Sequence, residues 1–165
     1  MTIRPLFSLM KVFSAFRRHA LLFEFMASHP SKRHRQRQCI IECLYMRDVQ
    51  QDVAVETLYA WYCEEKKGAS DILPSEFVST TLYDVVRQQP LIDEILKKHA
   101  ENWAFERIAK VDLAILRLAV YELKFAQTPP PVVIDEAIEL AKEYASDDSK
   151  RFINGMLDRI AKEVC

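Results

Sequence analysis

Apolar residues recur at intervals of three to four positions along most of this chain, beginning near Arg33. This spacing places them on one face of an α-helix, whereas the side chains of a strand alternate with a period of two. Glycine, which hairpin turns and phosphate-binding loops usually require, occurs at only two of 165 positions. The sequence therefore predicts an all-α fold, and it disfavours sheet-rich and nucleotide-binding folds.

The periodic pattern divides into about seven helices, which we expect to form one compact bundle. Basic residues followed by Gly68 end one helix, and Pro90 and the prolines at 129–131 are each expected to end another. Residues 104–112 fit either a short separate helix or the start of the most apolar helix. Gly155 lies inside the last helix at a cost of about 1 kcal/mol, so it predicts the close approach of a second helix.

Composition limits the class of protein. Half of the residues are hydrophobic and 28% are charged, which is typical of a globular chain, and this length suits a single domain. Because the net charge is −1, a nucleic-acid site would have to be a local basic patch. No stretch reaches the roughly 18 apolar residues that a membrane span needs, so we expect the helical domain to have no membrane partner.

The cysteines favour a reducing, cytoplasmic location. They are Cys39, Cys43, Cys63 and Cys165. None forms a C-x-x-C pair, and Cys39 and Cys43 are four residues apart on one predicted helix face. We expect both to pack in the core as small hydrophobic residues, and a metal or disulfide role is the alternative.

Residues 1–25 differ from the rest of the chain, since they are apolar and basic with Glu24 as their one acid. Three interpretations remain open: a targeting segment, a membrane-surface or partner-binding helix, and upstream sequence translated from a wrongly assigned start. We favour the third, with Met26 as the initiator. The predicted organisation is an N-terminal extension at 1–25 followed by a helical domain at 26–165.

The sharpest chemical feature is a basic run at residues 32–37. It comprises Lys32, Arg33, Arg35 and Arg37, with His34 among them. Guanidinium groups bind phosphates bidentately and stack on bases, so the run predicts nucleic-acid binding. The alternatives are a solvated helix start and a nuclear-import-like run.

The turn at residues 146–152 is a second candidate site. Ser146, Asp147 and Asp148 are expected to cap the last helix and to supply its first-turn acids. Ser149 and Lys150 are placed to bind RNA at a helix N-terminus, and Phe152 is placed to stack on a base. The alternative is a simple capping segment with the phenylalanine in the core.

Nothing in the sequence indicates catalysis, a metal or a cofactor. The four histidines are scattered, and the sequence contains no glycine-rich loop, H-E-x-x-H or G-x-S-x-G motif. Glu136 is expected to be a structural hydrogen-bond acceptor. Arg117, Tyr121 and Glu122 lie on the most apolar helix, and a buried arginine needs partners. We therefore predict a structural network in which Glu122 or Glu136 pairs with Arg117.

Four segments occur in a specific order along the chain. The basic run leads into CIIECLY (39–45), and VDLAILRLAVYEL (111–123), VIDEAIELAK (133–142) and DSKRFINGMLD (148–158) follow. This ordered set resembles the NusB family of bacterial transcription antitermination factors. The similarity covers roughly residues 32–161, although residues 46–105 match only in their helical pattern.

The resemblance implies an all-α fold of two small helical subdomains. It also implies binding to boxA-type single-stranded nascent RNA together with NusE, a small-subunit ribosomal protein. The pair would help the RNA polymerase elongation complex to read through terminators, notably in ribosomal RNA operons. The RNA-binding positions carried over are Arg33, Arg35, Arg37, Asp148, Ser149, Lys150 and Phe152. The partner surface would lie on the middle helices, and some members of such a family form homodimers that mask the basic face.

The chain departs from the family pattern at two positions. Asp135 stands where the family often has asparagine, and Ala145 stands where a glycine often precedes the acidic turn, so a different turn shape is expected. His34 dilutes the charge of the basic run. The alternatives to antitermination are a domain related to those of RNA methyltransferases and a helical adaptor that does not bind RNA. The first would need a catalytic domain with a glycine-rich cofactor loop.

Overall fold

The computed structural model describes residues 31–66, 72–100 and 104–164, so the predicted extension at 1–25 lies outside the described residues. Six α-helices and one 3-10 turn occur in this part of the chain, which contains no strand. The helices are α1 (Lys32–Val49), α2 (Val55–Glu65), α3 (Glu76–His99), α4 (Lys110–Lys124), α5 (Pro130–Tyr144) and α6 (Asp147–Val164). The predicted all-α class is confirmed.

Helix α4 lies at the centre of the molecule. Eleven of its fifteen residues are buried, and it packs against α1, α3, α5 and α6. Helices α1 and α3 pack on α4 from the N-terminal half of the chain and α5 and α6 from the C-terminal half, and all six helices share a continuous apolar core. The central helix is apolar on nearly every side because it has neighbours on nearly every side.

Serine residues cap three of the helices. The Ser31 hydroxyl accepts a hydrogen bond from the His34 amide at 3.1 Å, and the Ser75 hydroxyl accepts one from the Val78 amide. At the start of α6, the Ser146 hydroxyl accepts from the Ser149 amide at 3.2 Å. These bonds satisfy N–H groups that have no partner within the helix, and the predicted cap at Ser146 is confirmed.

The predicted helix break at Pro90 is wrong, because α3 continues through this residue. A proline in a helix removes one backbone hydrogen bond and costs about 3 kcal/mol. Pro90 is exposed on the outer side of α3, while Val85, Ile92 and Leu96 keep the apolar stripe in phase across it and are all 0% exposed. Burial of each of these side chains contributes roughly 1.5–3 kcal/mol, which offsets the cost.

The predicted close helix approach at Gly155 is also wrong. A Cβ atom added at this position would meet no heavy atom within 4 Å. The glycine therefore leaves open space beside α6. The ambiguous segment at 104–112 contains a separate 3-10 turn, Phe105–Arg107, followed by the start of α4 at Lys110.

The first helix buries the face that the sequence predicts. Cys39, Ile40, Cys43 and Leu44 are at most 6% exposed, and both cysteines are free thiols in the core. Burial raises the pKa of Cys39 to about 11, so this thiol is protonated at neutral pH. None of the helices in the described ranges is long and apolar enough to cross a membrane.

Candidate nucleic-acid interface

The basic run forms the first turns of α1, and its side chains divide between the surface and the interior. Lys32 and Arg33 are exposed, and Arg35 is half-buried. The Arg33 guanidinium lies 3.8 Å from the centre of the Phe77 ring in α3 and donates a hydrogen bond to the Gln36 side chain at 3.2 Å. A cation over an aromatic face is attracted by the ring quadrupole, so this contact orients Arg33 while leaving it open to solvent.

Helix α3 also holds the start of α1 through the side chain of Gln36. Its amide donates to the Ser75 hydroxyl at 2.9 Å, beside the cap of α3. The Tyr59 hydroxyl fixes Ser75 in turn, since it donates to the Ser75 carbonyl at 3.2 Å and accepts from the Ser75 amide at 3.0 Å. The beginning of α1 therefore has a defined position relative to α2 and α3.

Arg37 points into the protein rather than to the surface. It is 5% exposed, and its guanidinium forms a paired contact with Glu122 of α4, with N–O distances of 2.9–3.1 Å. A second contact joins Arg37 Nη1 to the Glu136 carboxylate of α5 at 3.6 Å. The RNA contact predicted for Arg37 thus needs correction, because its donors are already directed at the carboxylates of Glu122 and Glu136.

His34 also points inward, and both of its ring nitrogens contact carboxylates of α5. Nδ1 lies 2.9 Å from Glu136 Oε2, and Nε2 lies 2.9 Å from Glu143 Oε1. The hydrogen bonds to Glu136 and then to Glu143 raise the pKa of His34 from 6.5 to about 9. The hydrogen bond from His34, assisted by the charge of Arg37, lowers the pKa of Glu136. The histidine is therefore an additional buried cation rather than a dilution of the basic charge.

Glu143 joins the end of α5 to the first helix. Its carboxylate accepts hydrogen bonds from His34 and from Gln38, both on α1. Glu143 lies at the end of α5, three residues before the serine that caps α6. The chain thus passes from a residue bonded to α1, beside its basic start (residues 32–37), into the α6 turn (residues 146–152) within three positions.

The α6 turn combines exposed and anchored side chains. Asp148 is exposed, and Lys150 pairs with Asp147 in the first turn of the helix. The Ser149 hydroxyl donates to Asp112 Oδ2 of α4 at 2.8 Å, and burial raises the pKa of this aspartate. Phe152 is half-buried and packs against the apolar core. The α6 turn is thereby fixed to the central helix.

Ala145, which precedes the α6 turn, adopts an extended backbone with φ −132° and ψ −177°. The chain thus leaves α5 without the left-handed residue that a glycine would supply. An extended backbone suits any residue, so Ala145 takes this conformation without strain.

The predicted pairing of Arg117 is wrong. Its guanidinium forms a paired contact with Asp93 of α3 at 2.8 and 2.9 Å and a third contact with Asp48 of α1 at 2.5 Å. The Tyr121 hydroxyl donates to Asp84 at 3.1 Å. The central helix therefore uses Arg117 toward α1 and α3, and Glu122 toward Arg37 of α1.

Three residues of this polar cluster escaped the sequence analysis: His34 as a structural cation, Gln38 and Glu143. The sequence contained one indication of this cluster: Glu136 and Glu143 are seven residues apart, which places both carboxylates on one face of the helix. Their partners could not be identified without knowing that α5 packs against α1. Within the described ranges, no group of histidine, cysteine and carboxylate side chains is arranged to hold a metal ion.

The fold and the site define the class as a small all-α protein with a local basic surface. The NusB family profile matches residues 34–162. The transcription antitermination protein NusB of Nitratiruptor sp. is 41% identical over 140 residues, covering 80% of this chain and 93% of the relative. The NusB protein of Campylobacter concisus is 41% identical over 128 residues, covering 78% and 95%. The chain belongs to the NusB family.

Solved structures agree with this assignment. NusB of T. maritima superposes with a TM-score of 0.67 at 32% identity, covering 83% of this chain and 94% of that one. A structure of the antitermination factors NusB and NusE in complex with double-stranded RNA gives a TM-score of 0.70 at 29% identity, covering 80% and 97%.

Proposed function

We propose that this chain is an RNA-binding transcription antitermination factor. It binds boxA-type single-stranded RNA together with a NusE-type ribosomal protein. The complex promotes read-through by the RNA polymerase elongation complex, notably in ribosomal RNA operons. The role is one of binding, without catalysis or a cofactor, and it places the protein in the cytoplasm with the polymerase.

One contact supports the RNA site most strongly: the Glu143 carboxylate bonds two residues of α1 and lies beside the α6 turn. We infer from this contact that the basic start of α1 and the α6 turn lie on one surface. A strand of RNA that crosses this surface meets cations from α1 and then the N-terminus of α6. A helix N-terminus favours anions through its free N–H groups and its dipole.

The exposed and half-buried residues of this surface are the proposed contacts. They are Lys32, Arg33 and Arg35 of α1, and Asp148, Ser149, Lys150 and Phe152 of the α6 turn. Arg37 supports the surface from below through Glu122. Neutralisation of about four phosphates would give a log–log slope of binding against salt of about −3 for a single strand.

The structural relative that contains NusE and RNA supports joint binding by the two proteins. The test is fluorescence anisotropy on the full chain with boxA RNA and with a scrambled RNA of equal length, with and without NusE. We expect NusE to tighten binding to boxA selectively. Equal binding of both RNAs, or no binding, would reject the antitermination role and leave a helical adaptor.

A pair of variants tests the surface itself. Replacing Arg33 and Arg35 together with alanine removes two proposed phosphate contacts, so the salt slope should decrease in magnitude by about 1.4. The matched control is Arg87→Ala, since Arg87 is an exposed arginine of α3 that lies about 15 Å further along the helix than Phe77. If both variants lose the same affinity, the proposed surface is in the wrong place.

A further inference from the structure

We propose that His34 positions the RNA-binding surface, acting as a doubly protonated clamp between the basic start of α1 and the end of α5. The clamp consists of His34, Glu136 and Glu143. The proposed effect on RNA rests on the function proposed above, whereas the clamp itself does not depend on it.

The geometry of the ring requires two donors. Each ring nitrogen lies 2.9 Å from an oxygen of a different glutamate. An ionised carboxylate has only acceptor sites, and a neutral imidazole has only one N–H group. Both hydrogen bonds can form only when the ring carries two protons, so the arrangement stabilises the cation. The raised pKa of His34, about 9, agrees with this protonation state at neutral pH.

The charges around the ring make its proton important for an anionic ligand. On α5, Glu136 and Glu143 face the ring directly, and Arg37 on α1 shares Glu136 at 3.6 Å. The Glu122 carboxylate of α4 belongs to the same group of charges, because its Oε1 lies 2.9 Å from Arg37 Nη2. Three carboxylates are thus balanced by two cations. If His34 loses its charge, the local formal charge changes from −1 to −3 + 1 = −2, directly beneath the proposed phosphate contacts.

The position of the clamp connects it to both halves of the surface. His34 lies between Arg33 and Arg35, and its own amide is bonded by the cap residue Ser31. Glu143 is followed within three residues by the cap of α6. Loss of the ring charge would break one of the two His34 bonds to α5, while the contacts of Arg37 with Glu136 and of Gln38 with Glu143 remain. We expect the alignment of the two RNA-contacting segments to weaken as a result.

The first experiment measures boxA RNA affinity at pH 7 for the full chain, with NusE present. His34→Gln should weaken binding about tenfold, the factor that corresponds to the loss of roughly one charge-assisted hydrogen bond. His34→Arg keeps a cation able to bond two carboxylates and should stay within about threefold of the original protein. His99→Gln is the matched control, because this buried histidine of α3 contacts Glu163 of α6 and lies outside the clamp.

The second experiment observes the histidine without RNA. We expect ¹H–¹⁵N NMR of the imidazole to show both nitrogens protonated at pH 7.5, with titration near pH 9. Glu143→Gln should lower that pKa, because it removes one of the two carboxylates. Hydrogen exchange of the amides at 146–150 should accelerate in His34→Gln and remain unchanged in His99→Gln.

The outcomes separate the two proposals. If the original protein shows no preference for boxA RNA, the proposed function fails while the NMR titration still decides the clamp. If the protein prefers boxA and His34→Gln binds equally well, the positioning role is rejected and the function stands. Titration of His34 near 6.5, the ordinary value, would overturn the clamp itself. Should His34→Gln not fold, Glu143→Gln provides the affinity and titration measurements.

Discussion

His34 and Glu136 give the folded protein a defined dependence on pH. The pKa of His34 is raised from 6.5 to about 9, so its contribution to stability is complete below 6.5 and is lost as the pH rises to about 9. The pKa of Glu136 is lowered from 4.5, so its contribution is present above 4.5 and is lost as the pH falls further. This pair therefore contributes most between about pH 4.5 and 6.5.

Urea unfolding at pH 6, 7.5 and 9 measures this dependence. We expect the free energy of unfolding to fall from pH 6 to pH 9 in the original protein. The fall should be smaller in His34→Gln, because the titrating group is absent. Parallel pH profiles for the two proteins would show that His34 does not titrate with folding.

Arg37 and Arg33 belong to the same basic run, yet the structure gives them different roles. Arg37→Ala leaves Glu122 as a buried charge without its main partner, which should cost about 3–5 kcal/mol of stability. Arg33→Ala removes an exposed cation from the Phe77 ring and should cost about 0.5–1 kcal/mol. Chemical denaturation of the two variants measures the loss in the free energy of unfolding that each causes. Equal losses would contradict the assignment of Arg37 to the interior.

The sequence does not show which side chains of the basic run point into the protein and which point to solvent. The sequence identifies residues 32–37 as a basic cluster, but neighbouring residues of a helix point about 100° apart. Lys32 and Arg33 face solvent, while His34 and Arg37 face the carboxylates of α4 and α5. Which residues face inward depends on the packing partner, and that partner is more than eighty positions away in the sequence.

At the scale of the single helix, Gly155 leads to a stability prediction. Since a Cβ atom at this position would meet nothing within 4 Å, Gly155→Ala should stabilise the protein by about 1 kcal/mol. Thermal or urea unfolding measures the change. The control, Lys162→Ala on an exposed position of α6, should alter stability by less than about 0.5 kcal/mol. Destabilisation by Gly155→Ala would show that a neighbouring group does approach the glycine.

Local rules predict some helix boundaries better than others. The cap at Ser146 follows from its side chain and the acids after it, and α5 begins among prolines that are favoured in a first turn. The break predicted at Pro90 is wrong because the free energy gained by burying the apolar face of α3 exceeds the cost of a proline inside a helix. The continuous phase of Val85, Ile92 and Leu96 was the sequence signal for a single helix.

At the scale of the whole molecule, the fold class follows from periodicity, and the pairing of helices does not. The most apolar helix of the sequence, α4, lies at the centre of the structure. Its polar residues reach Asp48, Asp93 and Arg37, which lie on two other helices. Spacing within a helix cannot identify such partners, because they are determined by how the helices cross.

The proposed function depends above all on one RNA-binding surface formed by the basic start of α1 and the α6 turn. The first measurement to make is an NMR titration of this surface. BoxA RNA is added to the preformed complex of the protein with NusE, and the chemical-shift changes of the backbone amides are followed. We expect the amides at 32–36 and at 146–150 to shift together and to saturate at the same RNA concentration. Shifts at only one of these segments, or mainly along the outer face of α3 around Arg87, would contradict a single shared RNA surface.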